Sequence, residues 1–122
     1  AAKTMSPADR MFSNEIRMGA FKALTKYHFK EGLEAGADFA KTQGGHGSES
    51  RTGEIMKPLV GYGTAARGVI PELKQLIVQF NAECKAGKFP DDCNKQRVTS
   101  VEDAIKAIES AKTQPKLLSI AN

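Results

Sequence analysis

The sequence predicts an all-α fold: about five helices, paired into hairpins that stack as an α-α superhelix, with an irregular five-helix bundle as the alternative arrangement. Three observations carry this. Apolar residues recur every three or four positions in five separate segments, helix start and stop signals fall between those segments, and short helical patterns of the chain recur when it is slid against itself.

The first helix is announced by Ser6 as N-cap, Pro7 at the first helical position and Asp9 in the first turn, where a carboxylate complements the helix dipole. Phe12, Ile16, Ala20, Leu24 and Tyr27 then recur at helical spacing and form the expected buried stripe. A break at His28 and Phe29 precedes "KEGLEAGADFAKT", where Leu33, Ala37 and Ala40 share one face and small residues permit close helix approach. The stretch "KTQGGHGSESRTGE" follows, with glycines for turns and Ser48, Ser50 and Thr52 as candidate caps. In "RTGEIMKPLVGYG", Ile55, Leu59 and Tyr62 form a further stripe. Pro58 lies inside it and removes one backbone hydrogen bond, which predicts a kink unless the proline falls in a first turn.

Gly63 is expected to close that helix and Thr64 to cap the next, which carries Val69, Leu73, Leu76, Ile77 and Phe80. Pro71 either bends this helix or marks its first turn. After the polar connection "KAGKFPDDCNKQR", Thr99 and Glu102 resemble a capping box ahead of Val101, Ala104, Ile105 and Ile108, and the helix is expected to end near Thr113, before Pro115. The apolar tail "KLLSIAN" must pack or fray.

With an offset of 35, Lys22, Leu24 and Tyr27 fall on Lys57, Leu59 and Tyr62; with an offset of 84, "AFKAL" falls on "AIKAI". The chain is therefore read as one helical-repeat domain over residues 1–122, with repeat-like units at 9–42 and 52–84, a partial unit at 99–113, and linkers at 43–51 and 85–98. The odd helix count suggests a fragment of a larger protein. On this reading Leu24, Leu59 and Ile108 are expected at equivalent buried positions.

The segment 55–80, "IMKPLVGYGTAARGVIPELKQLIVQF", resembles a HEAT repeat: a proline-containing first helix, a short glycine-containing turn, and a second helix written Val-Ile-Pro-Glu-Leu before an apolar run. The unit at 17–42 lacks both prolines and the third unit lacks a second helix. What the resemblance implies is a superhelix that binds partners or serves as a scaffold, usually without catalysis. In such a stack the second helices line the concave surface, which makes Glu34, Asp38, Arg67, Lys74 and Gln75 the candidate partner-binding residues.

The 122 residues fit one domain, and 40% hydrophobic with 26% charged residues is ordinary globular composition. A net charge of +4 arises from 18 basic residues interleaved with 14 acidic ones, a mild bias and no nucleic-acid signature. Lys85, Lys88, Lys95 and Arg97 form one basic patch, but Phe89 alone offers an aromatic face and Asp91 and Asp92 interrupt the field, so nucleic acid is the weaker partner. No apolar run reaches the length of about 18 residues that spans a bilayer, and the first residues lack a signal-peptide core.

No catalytic, cofactor-binding or metal-binding set is assigned. A Walker A loop requires a Gly-Lys-Ser/Thr ending, which "GGHGSESRTG" lacks. His28 and His46 have no nucleophile elbow beside them, and with Cys84 and Cys93 they lack zinc-site spacing. The two cysteines, in "CKAGKFPDDC", can meet across a turn at Gly87 and Pro90, which would favour an exported protein. The expectation is a non-catalytic interaction or scaffold module, an accessory domain of a larger exported bacterial-type protein whose partner is a protein or a neighbouring domain. A HEAT-like nucleic-acid module and a helical accessory domain of a hydrolase are the alternatives.

Overall fold

A computed structural model describes residues 7–43, 48–86 and 95–120. The chain forms an all-α bundle: α1 (Pro7–Lys26), α2 (Glu31–Lys41), α3 (Ser48–Val60), α4 (Ile70–Lys85) and α5 (Lys95–Ser110), with a 3-10 segment over Gly63–Val69. Among the described residues no strand forms, only an isolated bridge between Phe29 and Leu118.

Helix directions follow from which residues meet. Asn14 reaches Gln43 and Gln43 reaches Arg51 at one end, while Thr25, Gly32 and Tyr62 converge at the other, so α1 and α3 run one way and α2 runs back between them. At the far side Glu83 pairs with Arg97, and Arg67, just before α4, reaches the backbone at Glu109 and Ala111, so α4 and α5 are antiparallel. The helices thus sort into a layer of α1, α3 and α5 and a second layer of α2 and α4. The direct contacts join α1 to α3, α3 to α5, and α2 to α4 within these layers.

The expected stripes of α2, α3, α4 and α5 form the core. Ala37, Ala40, Ile55, Leu59, Tyr62, Leu73, Phe80, Val101 and Ile108 are all fully enclosed. Burying such side chains stabilises by about 1.5–3 kcal/mol for each large one, which is why the amphipathic pattern decides which face turns inward. Close approach of α1, α2 and α3 rests on two glycines. A Cβ at Gly36 would stand 2.8 Å from both Leu59 and Phe21, and one at Gly32 would stand 2.5 Å from the Tyr62 hydroxyl.

Four expectations are corrected. In α1 the stripe of Ile16, Ala20 and Tyr27 faces solvent, and Phe21 and Thr25 are buried in its place. The helix is apolar on two sides, and the notch left by Gly36 accepts the larger Phe21 ring. Leu24 is only half-buried where Leu59 and Ile108 are fully enclosed, so the three are not equally covered. The segment after Gly63 is not α-helical: it runs as 3-10 to Val69, α4 starts at Ile70 with Pro71 in its first turn, and the backbones of α3 and α4 come no closer than 8 Å between Cα atoms. Finally, α5 starts at Lys95, a turn before the Thr99 capping-box reading, and ends at Ser110. Arg97, in this first turn, is buried. Ser6 and the side chains of Asp9 and Phe12 lie outside the described residues.

The apolar tail packs as an extended strap. Thr64 N–H donates to the Thr113 carbonyl at 2.9 Å, and Leu118 exchanges backbone hydrogen bonds with His28 and Lys30 at 3.0 and 2.8 Å. Ser119 then donates to Glu31 at 2.9 Å. The corner it crosses is a Schellman turn, in which Phe29 N–H bonds to Leu24 and His28 N–H to Thr25, with His28 in the left-handed region at φ 55°.

Candidate functional site

Two arrangements of polar residues stand out, one buried and one open. The buried one gathers at the ends of α2 and α4 and the starts of α3 and α5. Arg97 is fully enclosed: its guanidinium lies 3.8 Å from the Phe80 ring centroid, pairs with Glu83 at 3.1 Å and donates to the Gln43 carbonyl at 2.7 Å. Gln43 in turn accepts from Arg51 and donates to Asn14 at 3.2 Å. Burial pushes the Arg97 pKa down, and the Glu83 carboxylate opposes that shift. Stacking, a carboxylate and a carbonyl together compensate a charge that would otherwise be costly to bury. The arrangement joins four helix ends and leaves Arg97 turned away from solvent. The basic patch expected around residues 85–97 therefore loses this member, and Lys88, Phe89, Asp91 and Asp92 lie outside the described residues.

The open arrangement is a groove between α3 and α5. These helices run the same way, so their first turns lie side by side, and Glu49 and Ser50 face Lys95, Gln96, Thr99 and Ser100 across an open space of about 590 Å³. Farther along, Gly53, Met56, Lys57 and Val60 face Ser100, Asp103 and Ala104 across about 230 Å³. Three hydroxyls and a primary amide at one end can hydrogen-bond a chain, and Met56, Val60 and Ala104 at the other can take an apolar side chain. Helical geometry explains why these side chains face outward. On α5, Arg97, Val101, Ala104 and Ile108 point to the core, so Gln96, Thr99, Ser100 and Asp103 occupy the adjoining side. The sequence reading treated Ser50 and Thr99 as helix caps and missed the groove, because it is made by two helices about 45 residues apart in sequence whose register only packing sets.

The expected contact residues are all exposed. Glu34 and Asp38 lie on α2, Lys74 and Gln75 on α4, and Arg67 in the 3-10 segment. Gln79 donates to the Lys41 carbonyl at 3.0 Å, which brings the outer sides of α2 and α4 to one level. Asp38 is engaged locally with Lys41 at 3.7 Å. Arg67 is occupied otherwise: it donates at 2.6 Å to the Ala111 carbonyl and at 3.3 Å to that of Glu109, closing the end of α5. His28 stacks edge-on against Tyr62 at 5.5 Å, a packing role in the turn, and His46 lies outside the described residues.

Among the described residues no group of three or more His, Cys, Asp or Glu side chains is placed to hold a metal ion. No helix of the described residues is long and apolar enough to cross a membrane. Cys84 lies in the last turn of α4 and is not a free thiol, while Cys93 lies outside the described residues. No protein-family model, no curated protein and no solved structure matches this chain.

Proposed function

We propose that the chain is a non-catalytic helical interaction module, stacked in the manner of HEAT repeats, that holds an extended segment of a protein partner or a neighbouring domain. The observation that carries this reading is the α3–α5 groove, which offers hydroxyls at one end and an apolar trough at the other. The alternation of helix direction, with α1, α3 and α5 one way and α2 and α4 the other, is compatible with such a stack and equally with an ordinary bundle. Glu34, Asp38, Lys74 and Gln75, on the outer sides of the second helices, are the second contact surface of this reading. Arg67 is a weaker member, since its guanidinium already closes α5. A Cys84–Cys93 bridge and an exported parent protein belong to the same proposal.

The test is selection of a displayed library of random peptides on the full chain, with counter-selection on a Ser50→Arg, Ser100→Arg variant whose long side chains fill the groove. Peptides that bind the chain and not the variant are the expected result. Enrichment of none, or equal binding to both proteins, overturns the groove. A parallel Glu34→Lys, Asp38→Lys variant assigns any remaining binding to the second-helix surface.

A further inference from the structure

The face of α1 that points away from the core is apolar and open. Ile16 is 58% exposed and Tyr27 57%, and Gly19, Ala20 and Ala23 lie exposed between them. Positions 16, 20, 23 and 27 follow one face of a helix, a strip about 16 Å long at a rise of about 1.5 Å per residue. Phe21 and Thr25, on the opposite side, are buried, so the strip is not the edge of the core but a separate surface.

Gly19 is the second observation. A Cβ there would meet nothing within 4 Å, so no packing inside the chain calls for glycine. A glycine in a helix interior costs about 1 kcal/mol relative to alanine. Close approach of another helix from outside would account for it.

Charge indicates which helix. Glu15 and Lys26 are 11 residues apart, about three turns, and so lie on the same flank of the strip. When two identical helices pack antiparallel, equal flanks face each other. Glu15 then meets the partner's Lys26, the symmetry repeats the pair, Ile16 meets the partner's Tyr27, and Gly19, Ala20 and Ala23 sit at the centre where the backbones are closest. Lys26 is already drawn to the strip, its ammonium 5.5 Å from the Tyr27 ring centroid. In a parallel two-fold pair opposite flanks face each other, so Glu15 and Lys26 would lie on the far side from their copies and make no pair.

We propose that α1 is a self-association surface, occupied by α1 of a second copy of this chain in an antiparallel, two-fold pair. The contact is isologous and closes on itself. Three turns of one helix bury less than the roughly 800 Å² per partner of a standard interface, so the dimer is weak and forms at high local concentration. The strip lies on α1 and the groove on α3 and α5, so either reading can fail without the other.

Sedimentation equilibrium of the full chain from about 10 μM to about 1 mM, at low salt where charge pairs are least screened, tests this. The apparent mass is expected to rise from 13.2 kDa towards twice that value. Glu15→Lys is expected to weaken the dimer at least tenfold, the effect of about 1.4 kcal/mol. The Glu15→Lys, Lys26→Glu double variant is expected to restore it, an outcome that simple damage to the helix would not produce. Both positions are exposed, and circular dichroism confirms that each variant is folded. A mass that stays at 13.2 kDa throughout overturns the proposal, and so does a dimer that Glu15→Lys leaves intact or that the double variant fails to restore.

Discussion

Arg97 shows how one side chain can change meaning between sequence and structure. In the sequence it belongs to a group of basic residues around a loop; in the fold it is among the largest fully buried side chains of the described residues and joins the ends of α2 and α4 to the start of α5. Removing it would leave Glu83 with only its hydrogen bond from Gln79, strand the Gln43 carbonyl and open a void beside Phe80. Arg97→Ala is therefore expected to destabilise the chain by about 3–5 kcal/mol, a large share of a typical domain's stability. Arg97→Lys is expected to recover only part, since an ammonium cannot both stack on Phe80 and reach two acceptors in fixed directions. Urea unfolding followed by circular dichroism measures both. A loss under about 1 kcal/mol for the alanine variant would show that the junction does not hold the helix ends.

At the scale of elements, the 3-10 segment and the strap explain each other. Gly63 adopts φ 59°, and a Cβ there would run into the Thr113 carbonyl. Any other residue both strains the backbone, at about 1 kcal/mol, and pushes the strap outward. In Gly63→Ala the amide protons of Thr64, Lys30 and Leu118, which the strap holds at 2.8–3.0 Å, are expected to exchange faster, while those of α3 and α5 stay protected. Hydrogen exchange read by NMR tests this, and unchanged protection at all three would refute the account. A glycine just after an apolar stripe signals a helix end, and α3 ends at Val60, three residues before Gly63. The sequence does not carry the partner, because residues 63 and 113 are fifty positions apart and meet only once α5 has packed.

For the whole molecule, Tyr62 ties the two layers together: its hydroxyl donates to the Phe29 carbonyl at 2.5 Å, across the α1–α2 corner. Burial, and secondly the charge of Glu31, push its pKa above the ordinary tyrosine value. The native state therefore keeps the phenolic proton at pH values where the unfolded chain has lost it. Stability from this group is complete below about pH 10 and falls as pH rises towards the raised native value, since the unfolded state then binds fewer protons. The stability difference between the wild type and Tyr62→Phe is expected to hold steady from about pH 8 to about pH 10 and to shrink above it. Urea midpoints across that range measure it, and a difference independent of pH would mean that Tyr62 titrates alike in both states.

The all-α class, the existence of five helices and the inward faces of four of them were legible in the sequence, because periodic placement of Leu33, Leu59, Leu76 and Ile108 states locally which side avoids water. The inward face of α1 was not, since Ile16 and Phe21 offer two apolar sides and only the notch at Gly36 selects between them. The burial of Arg97 in the first turn of α5 was not legible for the same kind of reason: a buried arginine has no local signature, and its Glu83 and Phe80 partners lie on another helix. The groove was invisible in sequence because Ser50 and Ser100 become neighbours only through the parallel packing of α3 and α5. Local hydrophobic spacing determined which segments are helices; the volume and hydrogen-bonding needs of residues distant in sequence decided how those helices face, where they begin and which surfaces they leave open.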